Sequence, residues 1–271
     1  MKVFIYVNKE KDINGINCSD LKSLLTQYNI EYLQLNDEDL KCDLSADAIF
    51  TLGGDGTILW VVEFANRNSI PIIGINIGKV GFLTEFDKND MENAVKLLKA
   101  NQLKKDSRLT LEVLVNNIKT IALNDAFVQR IYSEDIGCMT TDIAVSIDNK
   151  QVEEFKGDGI VVSSPTGSTA YSLSVGGSIL SPDVNALLVT PIAPHTLGIR
   201  SIVFSSESVC QFELTGKASG GLFVDGRSVC TLNKGDKVFV KKADYQTTFL
   251  RKYDFDFYKR FSLKLKDRVK G

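Results

Sequence analysis

The apolar run Ile49-Phe50-Thr51-Leu52 meets Gly53-Gly54-Asp55-Gly56-Thr57 and turns apolar again at once with Ile58-Leu59-Trp60. Strand, glycine turn and helix in that order form the repeating unit of a parallel α/β sheet, so this stretch limits the fold more than any other. Glycine has no Cβ and tolerates positive φ, so a second molecule can come close to the main chain. Thr57 reads as the first residue of the helix. A helix start carries free N–H groups and partial positive charge, which makes Gly53, Gly54 and Thr57 candidate phosphate-binding residues. A carboxylate in such a place repels phosphate unless it has its own task. Asp55 can hold a metal ion or take a proton from an attacking hydroxyl, and either role points to phosphoryl chemistry. A glycine turn with a solvated aspartate is the plainer alternative.

The rest of the first third keeps the same alternation. Residues 2–7 and 30–35 read as strands, and residues 48–52 form the strand that feeds the glycines. Leu21, Leu24, Leu25 and Tyr28 recur at helical spacing. The helix from Thr57 to about Asn66 is apolar nearly all round, which predicts burial, with Trp60 in the core. Asn89 and Glu92 stand at capping-box spacing ahead of a further helix. After about Ser107 short alternating strands take over, separated by Asn116-Asn117, Asn149-Lys150 and similar turns, and this pattern reads as an antiparallel sandwich. The expected organisation is an α/β domain with a Rossmann-like parallel sheet over 1–106 and a β-rich sandwich domain over 107–250. A cleft is expected between them, and the tail, 251–271, is expected to pack back on the body.

The broad properties exclude several classes. Hydrophobic residues make up 44% of the 271, enough for a real core. A net charge of −2 gives no general attraction to nucleic acid or to an anionic membrane. The opening MKVFIYVNKEK has too short an apolar run for a signal peptide, and no segment approaches the roughly 20 apolar residues that span a bilayer. The five cysteines are scattered without paired spacing and read as free thiols of a reducing cytoplasm. A single histidine, His195, excludes a polyhistidine metal site. It reads as structural, with its ring hydrogen-bonded to backbone.

A second block, GDGIVVSSPTGSTAYSLSVGGSILSP over 157–182, concentrates glycine and hydroxyl residues between apolar flanks. Hydroxyls are costly to bury without partners, so the block can line a polar pocket for sugar or phosphate; a Ser/Gly surface loop is the alternative. Neither GxGxxG nor GxxxxGK[ST] occurs, so any nucleotide is held in another way. Asn124-Asp125 closes the run IKTIALND and would present both side chains at a strand end.

Taken in order, Gly53 to Thr57, Asn124-Asp125, the 157–182 block and TPIAPH over 190–195 resemble the NAD kinase family across roughly residues 45–255. The glycine motif by itself is shared with diacylglycerol, sphingosine and 6-phosphofructokinases; the later motifs are far more specific. The resemblance implies an α/β domain followed by a β-rich one. It implies transfer of the γ-phosphoryl of ATP to the 2′-hydroxyl of the adenosine ribose of NAD, with magnesium carried in by ATP and no protein-built metal site. It assigns Asp55 as the base and Gly56 as a residue against the substrate. Asn124 and Asp125 would contact the nicotinamide-side ribose or the pyrophosphate region, and Lys156 and Asp158 the nicotinamide end. Thr169, Ala170, Tyr171, Ser172, Leu173 and Ser174 would line the dinucleotide pocket, partly from a neighbouring subunit, so a homo-dimer or homo-tetramer with shared sites is expected. Arg227 falls where the family often has Gln, and Asp125 where it usually has Glu, shorter by one methylene, about 1.5 Å. The competing readings are a lipid kinase of the diacylglycerol or sphingosine type and a non-catalytic dinucleotide-binding regulator.

Overall fold

A computed structural model describes residues 1–78, 81–131 and 140–269, with side chains described to residue 264. The chain forms two compact units, Met1–Ser107 with Thr247–Gly271, and Arg108–Gln246.

The first unit opens with β1 (Lys2–Val7), α1 (Ile16–Gln27), β2 (Glu31–Gln34), β3 (Ala48–Gly53), α2 (Asp55–Arg67), β4 (Ile72–Asn76), β5 (Phe86–Asp87) and α3 (Met91–Lys99). Its strands pair in the order β2-β1-β3-β4, all parallel, with β5 beside the end of β4. Side chains alternate across a strand, and β1 uses both faces. Val3 and Ile5 join a core with Leu21 and Leu25 of α1 and Val95 of α3. Phe4, on the opposite face, lies 6.0 Å from the ring of Phe64 in α2. A sheet covered on both faces needs continuous apolar strands, and β3 and β4 are buried at every residue. The expected α/β fold is therefore the observed one.

Several local readings change. α1 starts at Ile16, before the leucine pattern, because the buried carboxylate of Asp12 accepts from the amides of Asn17 and Cys18 and satisfies its first turn. α3 is not capped by Asn89; Asp87 accepts from the amides of Asn89 and Asp90 and turns the chain one step earlier.

β6 (Lys104–Val115) leads into the second unit, which continues with β7 (Ile118–Ala122), β8 (Asp125–Arg130), β9 (Thr141–Ile147), β10 (Lys150–Gly157), β11 (Gly159–Ser163), the short α4 (Tyr171–Ser174), β12 (Ala186–Ile192), β13 (Ile202–Ser205), β14 (Cys210–Leu214), β15 (Gly220–Val224), β16 (Arg227–Leu232) and β17 (Lys237–Arg251). One antiparallel sheet runs β13-β12-β11-β8-β15-β16. The other side consists of the antiparallel series β10-β9-β14-β17 and the β6–β7 hairpin. Their inner faces share one core, with Val128, Val162 and Leu222 from the first and Leu111, Val145, Phe212 and Val238 from the second. This is the β-rich sandwich expected from the alternating texture. The hairpins turn through left-handed residues, Asn116 for β6–β7 and Asp148-Asn149 for β9–β10, one position earlier than the Asn149-Lys150 reading. The chain then returns to the first unit, where Phe249 pairs with Ile72, and ends in α5 (Phe257–Val269).

Candidate active site

The glycine turn lies at the carboxyl edge of the parallel sheet of the first unit, where ligands of open α/β sheets bind. Gly54 is extended, φ −127° and ψ −164°, and α2 begins at Asp55, two residues before the threonine read as its start. The glycines of this turn serve close approach, since none of Gly53, Gly54 and Gly56 has positive φ. A Cβ on Gly53 would stand 1.9 Å from Thr57 Oγ1, which itself accepts from the Gly54 amide at 3.3 Å. Gly54 packs under the ammonium of Lys11, 2.8 Å from where a Cβ would be. Nothing lies within 4 Å of a Cβ on Gly56, so that face of the helix start is open.

Asp55 is partly exposed and held by the backbone. Its Oδ2 accepts from the Phe82 amide at 2.7 Å and its Oδ1 from the Leu83 amide at 2.9 Å. Gly81 makes this approach possible, because a Cβ there would stand 1.9 Å from Asp55 Oδ1. Each oxygen keeps acceptor capacity for a hydroxyl proton after these bonds. Sequence reading missed Lys11 and the 81–83 segment. The only trace of the latter is a glycine at position 81, and the contact it permits spans 27 residues.

Beside the turn, a cavity of about 380 Å³ is lined by Tyr6, Asn8, Lys9, Asp37, Gly56 and Trp60, among others. Trp60 is 44% exposed, not in the core as expected. Its indole N–H needs an acceptor and finds Asp37 Oδ1 at 3.0 Å, which also receives the Tyr6 hydroxyl at 2.5 Å. Burial and then the Asp37 carboxylate push the Tyr6 phenol up.

In the second unit the Asn124-Asp125 pair does not end β7. Asn124 sits in the bend that follows it, and Asp125 opens β8. The organiser is Asp225, at positive φ in the β15–β16 hairpin. Its carboxylate accepts from the amides of Leu123, Asn124 and Asp125 at 2.8, 2.8 and 3.2 Å. Arg227, across the hairpin from Val224, offsets its charge. Asp125 is buried, and its Oδ2 has no hydrogen-bond partner among the described residues. Burial and the neighbouring Asp225 raise its carboxyl to about 7, against the pull of a Tyr171 backbone hydrogen bond.

Several hydroxyls of the 157–182 block bond to protein groups, two within the block and two outside it. Ser164 donates to Leu123 O at 2.5 Å, Ser168 to Pro165 O at 2.7 Å and Thr169 to Thr166 O at 3.1 Å, while Ser172 and Thr190 share a bond of 3.2 Å. These bonds shape the loop, and each hydroxyl that donates keeps acceptor lone pairs. Gly167 packs against Asn124 so closely that a Cβ would lie 1.9 Å from its carbonyl oxygen. Ala170 leads into α4, in which Ser172 is buried, Tyr171 and Leu173 are half-buried and Ser174 is exposed. The Tyr171 ring meets Phe127 edge-on at 4.8 Å, and Phe127 stacks on Phe223 at 4.9 Å. Lys156 pairs with Asp142 at 3.4 Å, and Asp158 with Arg130 at 3.2 Å. His195 is exposed and is fixed by its amide, which donates to Lys156 O at 2.8 Å, not by its ring.

Among the described residues no cluster of three metal-ligating side chains occurs, Cys18, Cys42, Cys210 and Cys230 are free, and no helix is long and apolar enough to cross a membrane. Cys138 lies outside the described residues.

Residues 5–102 match the ATP-NAD kinase N-terminal domain and residues 128–252 the ATP-NAD kinase C-terminal domain. The chain is 34% identical over 267 residues to the NAD kinase of Caldicellulosiruptor bescii, covering 98% of this chain and 100% of that one. It is 33% identical over 240 residues to the NAD kinase of Carboxydothermus hydrogenoformans, covering 88% and 84%. The structure of yeast NADH kinase complexed with NADH superposes with a TM-score of 0.80 at 26% identity, over 96% of this chain and 85% of that one. With the glycine turn in one matched domain and Asp225 in the other, this chain belongs to the NAD kinase family.

Proposed function

We propose that the protein transfers the γ-phosphoryl of ATP to the 2′-hydroxyl of the adenosine ribose of NAD, giving NADP, with Asp55 as the group that takes the hydroxyl proton. The observation that carries this is the setting of Asp55: a carboxylate beside an open glycine, fixed by two amides at a helix start. A 2′-hydroxyl is a weak nucleophile at neutral pH, and a positioned base is what it lacks. Gly53, Gly54 and Thr57 shape the turn into α2, whose positive end suits phosphate, and the Lys11 ammonium beside Gly54 adds the positive charge that a neighbouring aspartate otherwise cancels.

NAD is assigned to the second unit. The orphan Oδ2 of Asp125 is an acceptor at a strand end, and a ribose diol supplies donors. Asn124 suits a ribose or amide edge. Tyr171 on Phe127 offers an aromatic face, with Thr169, Ala170, Ser172, Leu173 and Ser174 as the surrounding wall and Lys156, Asp158 and Arg227 as charged neighbours. Magnesium fits as a partner of ATP. The described residues hold no ligand cluster, and both Asp55 oxygens already bind amides, so a hard cation that keeps its waters and phosphate ligands matches this donor set, with Asp55 the side chain able to share it. When bound it neutralises phosphate charge. A homo-oligomer in the cytoplasm completes the reading; free cysteines accord with that compartment.

The test is a coupled assay in which NAD, ATP and magnesium are added and NADP is detected with a specific dehydrogenase. Asp55→Asn should lower kcat by about 10²–10⁴ while NAD still binds, and chelation should abolish activity until magnesium is restored. A variant that keeps more than about a third of wild-type kcat excludes Asp55 as base, and phosphorylation of diacylglycerol in place of NAD excludes the substrate.

A further inference from the structure

The peptide that holds Asp55 is itself held by an arginine of the C-terminal helix. The Gly81–Phe82 peptide donates its N–H to Asp55 Oδ2 at 2.7 Å, and its carbonyl, Gly81 O, accepts from Arg260 Nη1 at 3.1 Å. N–H and C=O of one peptide are parts of a single conjugated plane and point in opposite directions. Guanidinium, amide and carboxylate therefore form one chain with a full charge at each end, and both charges polarise the amide in the same sense. A second arginine secures a carbonyl two residues further on. Arg251 Nη1 donates to Leu83 O at 3.2 Å, and this side chain is buried and fixed by Asp106 at 2.5 Å and Glu85 at 3.4 Å.

α5 has further reason to sit where it does. Arg260 Nη2 reaches Glu85 O at 3.5 Å and Glu85 Oε2 at 3.7 Å. Phe261 lies 6.4 Å from the Phe82 ring and 6.2 Å from Phe257. Yet the helix borders a cavity of about 440 Å³, lined by Phe86, Lys252, Phe255, Arg260 and Leu263 among others, so a filled core does not hold it on that side. The position of the guanidinium is then set by these few contacts.

We propose that Arg260, supported by Arg251, is a positioning residue for the phosphoryl transfer: through the Gly81–Phe82 peptide it sets the orientation of the Asp55 carboxylate. This rests on the reading of Asp55 given above. The geometry makes two demands. Removing the guanidinium must free the Phe82 amide, and it must slow the chemical step more than it weakens nucleotide binding, since Arg260 acts through another group.

The experiment uses the full chain with Arg260→Met, Arg260→Lys and Arg260→Ala, and Lys259→Ala as an exposed neighbouring control. Expected for Arg260→Met are a kcat about tenfold or more below wild type, KM for ATP within about twofold, and an unchanged thermal midpoint. Lysine should recover part of the loss, and added methylguanidinium should restore part of it in Arg260→Ala. Amide hydrogen exchange at Phe82 should accelerate about tenfold in Arg260→Met and not in Lys259→Ala. The proposal is overturned by a kcat within about twofold of wild type, by unchanged exchange at Phe82, or by a loss that follows a falling thermal midpoint and is restored by neither lysine nor methylguanidinium. If exchange responds as expected but the wild type makes no NADP, the clamp on Asp55 stands and the assignment of the acceptor fails.

Discussion

The buried pair Asp125 and Asp225 makes a sharp prediction about pH. Asp225 holds three amides through its carboxylate. Burial raises its carboxyl overall, against the pull of the amides and Arg227; because it accepts three amides where Asp125 accepts one, the negative charge of the pair is assigned to Asp225 on geometry. Asp125 then faces burial and a neighbouring charge, and its carboxyl stands at about 7 in the folded protein against 3.8 for the ordinary side chain. The sign follows. Between those values the folded protein holds a proton that the unfolded chain has released, so stability falls as pH rises through this window and levels off above about 7. At about 1.4 kcal/mol for each pH unit, the loss between roughly pH 5 and pH 8 is about 2–3 kcal/mol from this one group. Asp125→Asn is nearly isosteric and cannot ionise. Urea unfolding followed by circular dichroism, with midpoints compared at the two pH values, should show the variant gaining on wild type by that amount at the higher pH. NAD affinity should move oppositely in the wild type, tightening as pH rises, because a ribose diol needs an acceptor and the ionised carboxylate offers two. Equal pH slopes for wild type and Asp125→Asn would falsify the assignment of the proton to Asp125.

Gly81→Ala puts a methyl 1.9 Å from Asp55 Oδ1, so the carboxylate or its segment must shift. Displacements near 1 Å cost about 100-fold in rate, so kcat should fall by that order with the circular dichroism spectrum unchanged; wild-type kcat would show that the contact is irrelevant to the chemistry. Light scattering should give an assembly mass near a multiple of the 29.9 kDa chain, dimer or tetramer, and a fully active monomer at that mass would remove the shared-site reading.

The linear order of residues was enough for the fold class and the family. β3 and α2 announce themselves through apolar runs around the glycines, and the second unit through alternation, because periodicity reports which faces are covered. The motifs at 53–57 and 157–182 carry the family because their residues are consecutive. Burial of a single side chain was less legible. Trp60 lies in a helix that reads as apolar all round, yet its N–H is drawn to Asp37, 23 residues away, and the ring stays 44% exposed. Likewise sequence does not show which protein groups the hydroxyls of Ser164, Ser168, Thr169 and Ser172 meet: the carbonyls of Pro165 and Thr166 are local, whereas Leu123 O and Thr190 Oγ1 are reached only in the folded chain. What tertiary structure alone settled is the support of the site. Phe82 and Leu83 donate to Asp55 across 27 and 28 residues, Arg260 to Gly81 across 179, and Asp225 accepts from residues 123–125 across 100 to 102. Local propensity and spacing carry no term for such pairs, since a hydrogen bond depends on where two atoms come to rest and not on how far apart they lie along the chain.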